Sequence, residues 1–327
     1  MQPEALFIGH GHFDHADNAA YIAKWLSIPI YSSPETCDAM QADVTRMFND
    51  PNTVNGGVKI IPDGNPVNCI SIVSRGSVPG AEIVHLKQLE PLACIVAFKH
   101  IHSNRVATDP DFPFIPVNAD SDSRESDLFP ALTSLTPGAT PVPGQENLKS
   151  TVGTGGPISL FYQFILRGDN HFSFVWHNTT GPLKEGIGAD PGLPSPAVGA
   201  HLFAIMDSLP ATDVEFGSIV SLGWPTNGVR DPILYQQHIK PQIYVPIHMT
   251  DATPLSSSLR FKKAYLQAVV AANAAVRPEI RWMVDPDDFV RPMVYDPSDE
   301  RWENRDKDRR VRQFCGNEQA GLAADTR

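Results

Sequence analysis

Four side chains that can bind a metal ion stand within six consecutive positions near the start of the chain: His10, His12, Asp14 and His15. They follow an apolar run at residues 5–8. Because side chains alternate along an extended strand, His10 and His12 share one face, and a turn would bring the other two side chains towards them. Imidazole and carboxylate groups suit zinc, iron or manganese. We interpret the cluster as a site for one or two ions that activates water for hydrolysis, the alternative being a histidine-rich surface turn.

The elements around this cluster indicate an α/β protein. Apolar residues spaced at i, i+3, i+4 and i+7 predict a helix over residues 16–26, and a Ser-Pro start predicts a second helix over residues 34–48. A strand therefore enters the cluster and a helix leaves it. Further short apolar segments bounded by turns predict strands at residues 58–61, 69–73, 81–86 and 92–98.

The pattern H-x-H-x-D-H between a strand and a helix resembles the motif of the metallo-β-lactamase fold superfamily of metal-dependent hydrolases. The resemblance extends from residue 5 to about residue 290. It implies an α/β fold of the αβ/βα four-layer sandwich type, with two mixed sheets face to face, helices outside and metals at one sheet edge. In that superfamily a substantial N-terminal stretch precedes the motif, so we expect part of the N-terminal sheet to be missing from this chain.

The resemblance also implies three ligands further along the chain. The first is a histidine after the strand at residues 92–98; His100 and His102 share a face, and the family pattern favours His102. The second is a bridging carboxylate, but matching the family's Gly-Asp-Thr places Asn178 there, with His177 as a possible substitute. The third is a histidine after a short strand, which is His248.

The implied ligands predict a two-ion hydrolase of a small-molecule substrate. His10, His12 and His102 would hold one Zn²⁺ ion, and Asp14, His15 and His248 the other, with Asn178 between them. Asp14 would also orient the attacking water or carry its proton. The expected reaction is cleavage of an ester, lactone or phosphodiester bond. The alternatives are a non-catalytic metal-binding protein of the same fold and an iron-dependent oxidoreductase.

The domain organisation predicted from the sequence is simple. Residues 1–295 form one metallo-hydrolase domain, in which the proline-rich insertion at residues 105–157 is either flexible or a lid over the metal edge. Residues 296–327 are a charged run that we expect to be solvated and partly disordered. The remaining predicted elements are a hairpin at residues 158–166 and 171–176, strands at 214–222, 242–245, 280–284 and 289–294, and helices at 197–208, 231–239 and 256–276.

Composition narrows the class of protein. The chain has 327 residues, of which 42% are hydrophobic, and a formal net charge of −11. It can therefore bury a large core, and its charge disfavours a nucleic-acid partner, whose binding relies on clustered Lys and Arg. No apolar run reaches about 18 residues, so we expect no transmembrane helix. The cysteines contain no CxxC pair and either form disulfides or remain buried thiols. Compartment and oligomeric state stay open.

Overall fold

The computed structural model arranges the described strands in two sheets, one of three strands and one of seven. This confirms the predicted α/β class. No described helix is long and apolar enough to cross a membrane. The chain divides into two compact units: the first contains the described residues up to Ser77 with 158–160, and the second contains those from Val78 to 113 and from Phe161 onwards. The described residues are 3–49, 59–87, 89, 92–103, 109–113, 158–187, 195–219, 229–248, 255–283, 288 and 290–316.

The first unit is built on a parallel sheet and the helices that connect its strands. Helix α3 (Pro34–Asn49) begins where predicted, because Ser33 Oγ accepts a hydrogen bond from Thr36 N–H at 3.2 Å and Pro34 presets the first helical φ. A disulfide joins Cys37 on this helix to Cys69 on a strand. The strands, in hydrogen-bonded order, are β1 (Leu6–Phe7), β2 (Ile30–Ser32) and β3 (Cys69–Ser71), and the helices are α1 (Phe13–Ala16), α2 (Ala19–Leu26) and α3 (Pro34–Asn49).

A carboxyl group lies inside the apolar core of the first unit. Asp43 on α3 is 3% exposed, and the core residues Met40 and Val44 are its neighbours on the helix. One of its oxygens accepts a hydrogen bond from Arg46 at 2.6 Å, and the other has no hydrogen-bond partner among the described residues. Burial raises the pKa of Asp43 from its ordinary value of 3.8 to about 6, against the opposing effect of Arg46.

We expect the substitution Asp43→Asn to stabilise the protein near neutral pH. At low pH the carboxyl group is protonated in both the folded and the unfolded chain, so it has no effect on stability. As the pH rises from 3.8 to about 6, the unfolded chain releases this proton first, and the folded state loses stability. The full loss is about 3 kcal/mol, and the variant should recover roughly 1–3 kcal/mol of it at neutral pH.

Urea unfolding at about pH 4 and about pH 7 measures this effect. The matched control is Asp38→Asn, because Asp38 lies on the same helix and its side chain is 61% exposed. The control should leave the free energy of unfolding nearly unchanged at both pH values. A stability difference between Asp43→Asn and wild type that is equal at the two pH values would contradict the assignment.

The second unit is built on the seven-stranded sheet. All nine residues of strand β5 (Ala93–Ile101) are buried, as expected for a central strand that is covered on both faces. Strand β8 pairs parallel with both β7 and β9, β9 pairs parallel with β10, and β6 and β7 pair antiparallel as the predicted hairpin. In sheet order the strands are β10 (Glu279–Ile280), β9 (Ile243–Ile247), β8 (Val214–Ser218), β7 (Ser173–His177), β6 (Ile158–Leu166), β5 (Ala93–Ile101) and β4 (Ile83–Leu86), and the main helices are α4 (Pro196–Ser208), α5 (Arg230–Ile239) and α6 (Leu255–Ala271).

The parallel strands bring their carboxyl ends to one edge of this sheet. Strand β7 ends at His177, β8 ends at Ser218 and β9 ends at Ile247. The end of β5 lies at the same edge, because Ser103 N–H donates a hydrogen bond to Thr179 Oγ1 at 3.0 Å. In open α/β sheets this edge is where ligands bind.

The C-terminal charged run contains helices and buried side chains. Residues Glu300–Trp302 form a 3₁₀ helix, and helix α7 spans Arg305–Cys315. Trp302, Lys307 and Val311 are at most 2% exposed. Between Glu300 and Cys315 this corrects the expectation of a solvated tail; residues 317–327 lie outside the described part.

Two contacts with residues far away in the sequence explain why this charged segment is not fully solvated. The Lys307 ammonium pairs with Asp213 at 2.7 Å, and both side chains are at most 1% exposed. A disulfide joins Cys315 to Cys94 on β5. A lysine that reads as a solvated charge in the sequence is therefore a buried ion-pair partner in the fold.

Two predicted strands are absent from the described residues that should contain them. Residues 59–61 contain no strand: residues 60 and 61 lie in a bend, and the Ile61 side chain is buried in the core of the first unit. Residues 290–294 contain no strand, and Val290 and Val294 are 77% and 83% exposed. The proline-rich insertion predicted at residues 105–157 lies outside the described residues apart from 109–113.

Candidate metal centre

The loop between β1 and α1 gathers the histidines of the first unit. The Gly9 carbonyl accepts a hydrogen bond from Leu160 N–H at 2.7 Å, and the His12 carbonyl accepts from His15 N–H at 3.0 Å as α1 begins. The His10 ring lies 4.6 Å from the His12 ring and 4.1 Å from the His15 ring, measured between centroids. His10 is 0% exposed and His12 is 1% exposed. The predicted strand, turn and helix are therefore present, with the three imidazoles close together.

His102 follows the end of β5 in the second unit. Its Nδ1 lies 2.8 Å from the carbonyl oxygen of Ser103. Because a carbonyl oxygen only accepts hydrogen bonds, Nδ1 carries the proton, and Nε2 is left as the ligand atom. This is the arrangement that commonly fixes the ring of a metal-binding histidine.

Three histidines offer ring nitrogens that are grouped closely enough to hold one ion. One ring nitrogen from each of His10, His12 and His102 lies within 4.8 Å of the other two. In the part of the chain that the structure describes, these three make the one such group of histidine, cysteine or acidic side chains. His100 is not in the group; it is buried, with Nδ1 3.1 Å from the Tyr235 hydroxyl. A His triad that could bind a metal is thus present, and the identity of the ion is open.

Of the remaining predicted ligands, His15 lies on α1, and Asn178 and His248 follow the ends of β7 and β9. The side chain of Asp14 lies outside the described part of the chain. Asn178 is 6% exposed and follows β7 directly. His248 follows β9 directly, with a left-handed φ of 66°. His15 and His248 belong to no second group of candidate ligands among the described residues.

His177 does not offer a ligand atom in place of a bridging carboxylate. Its Nδ1 lies 3.0 Å from the Thr179 carbonyl, and its Nε2 lies 2.9 Å from Oε1 of Glu215. Both ring nitrogens are therefore engaged by protein groups. Burial raises the pKa of Glu215, while its contact with His177 acts in the opposite direction.

Glu215 and Tyr235 are polar residues of this edge that the sequence interpretation missed. Glu215 is fully buried within β8, and the Tyr235 hydroxyl accepts a hydrogen bond from Gly181 N–H at 3.2 Å. Burial raises the pKa of the Tyr235 phenol. An acidic residue inside an otherwise apolar strand was the available signal for Glu215, but its partner lies 38 positions away.

Comparison with known proteins gives a weak likeness to solved structures. No known protein family matches the sequence, and no curated protein matches it. Among solved structures, the chain is similar to Igni18, described as a novel metallo hydrolase from the hyperthermophilic archaeon Ignicoccus hospitalis. The match covers 86% of this chain and 76% of that chain, at 15% sequence identity and a TM-score of 0.38. At these values the likeness assigns neither a family nor an activity to this chain.

Proposed function

We propose that the protein is a metal-dependent hydrolase in which His10, His12 and His102 bind a divalent ion, with zinc as the first choice. The observation that supports this is the grouping of their ring nitrogens within 4.8 Å. Ligands around tetrahedral zinc, each about 2.0–2.1 Å from the ion, lie about 3.3 Å apart, a spacing that falls within the 4.8 Å limit of this group. Three histidines that leave one position open are a ligand set typical of catalytic zinc.

The residues of the chain suit this role in two further ways. His10 and His12 are almost fully buried, so they are shielded from bulk water and electrostatic interactions around them are strengthened. The hydrogen bond from His102 Nδ1–H to Ser103 orients that ring and makes its Nε2 a better ligand. A bound zinc ion would supply a Lewis acid and lower the pKa of water towards neutrality.

We extend the proposal to a second, weaker ion position formed by Asp14, His15, Asn178 and His248. Asn178 offers a neutral amide oxygen where a carboxylate would be favoured, so we expect one tightly bound ion and a second that is lost more easily. We assign Asp14 the role of orienting the attacking water or moving its proton.

The proposed substrates are small molecules with an ester, lactone or phosphodiester bond. The αβ/βα four-layer sandwich, a metallo-hydrolase domain over residues 1–295 and a lid at residues 105–157 are parts of the same proposal. The sandwich follows from the metallo-β-lactamase resemblance carried by the first-loop motif, and the lid follows from the proline-rich composition of the insertion.

Metal analysis combined with a hydrolysis panel tests this function. The protein is stripped with a chelator, reloaded with zinc, manganese or iron, and assayed on one small ester, one lactone and one phosphodiester. We expect at least one zinc equivalent per chain and metal-dependent hydrolysis of one substrate. The control is His238→Ala, because His238 pairs with Asp207 at the surface and should affect neither quantity.

A non-catalytic metal-binding protein is the second candidate. Asn178 favours this candidate, because it stands at the position that matches a bridging aspartate in the resembled superfamily. Tight zinc binding without turnover on the whole panel would support this candidate over the hydrolase. Iron with a visible absorption band would instead indicate an oxidoreductase. A chain that binds none of the three metals would contradict both metal-binding candidates.

A further inference from the structure

A buried carboxyl group faces a histidine near the edge where the parallel strands end. Glu215 on β8 is fully buried, and its Oε1 lies 2.9 Å from Nε2 of His177, the last residue of β7. Its Oε2 has no hydrogen-bond partner in the part of the chain that the structure describes. Burying a carboxyl group with one oxygen that has no hydrogen bond costs free energy of folding, which favours a role for Glu215 beyond filling the core.

The proton positions of this pair follow from the second partner of His177. Its Nδ1 lies 3.0 Å from the Thr179 carbonyl oxygen, which only accepts, so Nδ1 carries a proton and donates it. Nε2 then shares one further proton with Glu215, either as imidazolium with carboxylate or as imidazole with a protonated carboxyl group. In both states two hydrogen bonds hold the ring, and it cannot turn over without breaking both.

The surroundings are shaped to accommodate the pair. A Cβ added at Gly217 would lie 2.6 Å from Glu215 Oε1 and 2.9 Å from His177 Nε2, so any larger residue at this position on β8 would displace the pair. Phe161 stacks on the His177 ring with centroids 5.6 Å apart, and the Tyr235 ring lies 5.1 Å away. The pair is therefore enclosed on several sides.

Hydrogen bonds lead from this pair to His102. His177 holds the Thr179 carbonyl, and Thr179 Oγ1 accepts a hydrogen bond from Ser103 N–H at 3.0 Å. The Ser103 carbonyl in turn accepts from His102 Nδ1–H at 2.8 Å. Each of these three hydrogen bonds joins buried or partly buried groups. A shift of the Thr179 turn would therefore move Ser103 and change the orientation of the His102 ring.

We propose that Glu215 and His177 are positioning residues: together they hold the Thr179 turn, which fixes Ser103 and thereby orients His102. This inference rests on the proposed function, because it assigns the pair a purpose in metal binding. If the pair only filled the core, any substitution that preserves the fold would leave metal affinity unchanged.

Two substitutions at position 215 separate these roles. Glu215→Gln keeps a side chain that can donate to His177 Nε2, so zinc affinity should stay within roughly threefold of wild type. Glu215→Leu removes that partner, and zinc affinity should fall by about 10–100-fold. The matched control is Gln163→Leu, since Gln163 is buried in the same sheet and bonds to Pro210 and Thr212. It should lower stability without changing zinc affinity.

A readout in the metal-free protein makes the test independent of turnover. Histidine ¹⁵N signals report which ring nitrogen carries the proton, and His177→Phe identifies the signal of residue 177. Wild type should show His177 with a proton on Nδ1 and an Nε2 signal shifted by its hydrogen bond to Glu215, whereas Glu215→Leu should keep the Nδ1 proton and lose the hydrogen-bond shift at Nε2.

Thr179→Val provides a second variant in case Glu215→Leu does not fold. It removes the oxygen that accepts from Ser103 and keeps nearly the same side-chain volume, so zinc affinity should fall by about 10-fold. Zinc affinity that is unchanged in both Thr179→Val and any folded Glu215→Leu would overturn the inference. A wild-type protein that binds no zinc would instead overturn the proposed function, while the ¹⁵N spectra would still show whether Glu215 holds the ring.

Discussion

Replacing His12 with alanine should abolish metal-dependent hydrolysis and reduce zinc affinity by more than about 100-fold, since loss of an outer-shell partner alone costs 10–100-fold. His12 is 1% exposed and belongs to the group of three imidazoles within 4.8 Å. Without it only two of those rings remain, which is too few for a catalytic zinc site. Inductively coupled plasma analysis after dialysis and steady-state hydrolysis rates measure the two effects.

The same measurements on His248→Ala test the second ion position. We expect this variant to lose activity and the more weakly held ion. His238→Ala should behave as wild type, because its surface ion pair with Asp207 has no part in the site. Normal turnover and normal zinc content in His12→Ala would refute the proposed ligand set.

Replacing Arg230 with methionine should lower the free energy of unfolding by about 3–5 kcal/mol, the usual effect of removing one partner from a buried charge network. The Arg230 side chain is 2% exposed and begins helix α5. It bonds to Glu185 through both terminal nitrogens at 2.7 Å, to Asp109 at 3.0 Å and to Asp231 at 2.7 Å.

The reason for this large effect is the charge that the substitution leaves behind. Asp109 and Asp231 are 7% and 1% exposed, so they cannot be solvated in place of the lost guanidinium. Burial acts to raise the pKa of Asp109, but hydrogen bonds from Lys184 and Arg230 hold it below its usual value. Without Arg230 these carboxylates either remain charged, at a cost in desolvation free energy, or take up protons.

Chemical unfolding of three variants measures the contribution of Arg230. Arg75→Met is the matched control, because Arg75 pairs with Asp38 at the surface and should cost less than about 1 kcal/mol. Adding Glu185→Gln to Arg230→Met should recover part of the loss, since it removes one of the unpaired carboxylates. A loss for Arg230→Met no larger than that of the control would contradict the account.

Sequence patterns predicted best those elements whose signal is local. Strands β5 and β6 are long apolar segments, so burial on both faces could be read from their composition. The loop holding His10, His12 and His15 also follows from a short apolar strand, a turn and a helical repeat. The strand, the turn and the helix each depend on residues that are close together in the sequence, so tertiary packing does not change their local preference.

The missed features depend on partners that are far apart in the sequence. Lys307 looked solvated because its partner, Asp213, is 94 positions away. The same holds for Glu215, whose role depends on the pairing of β7 with β8. Neither pairing can be derived from composition or periodicity, since many registers of the same strands would satisfy the apolar pattern.

Zinc K-edge X-ray absorption on the protein loaded with one zinc equivalent, and on His102→Ala loaded in the same way, tests the central claim most directly. We predict that the wild-type spectrum fits three imidazole nitrogens at about 2.0–2.1 Å with one further light ligand, and that the variant loses one imidazole. A wild-type site with sulfur ligands, or an imidazole count that His102→Ala leaves unchanged, would contradict the claim that His10, His12 and His102 bind one ion.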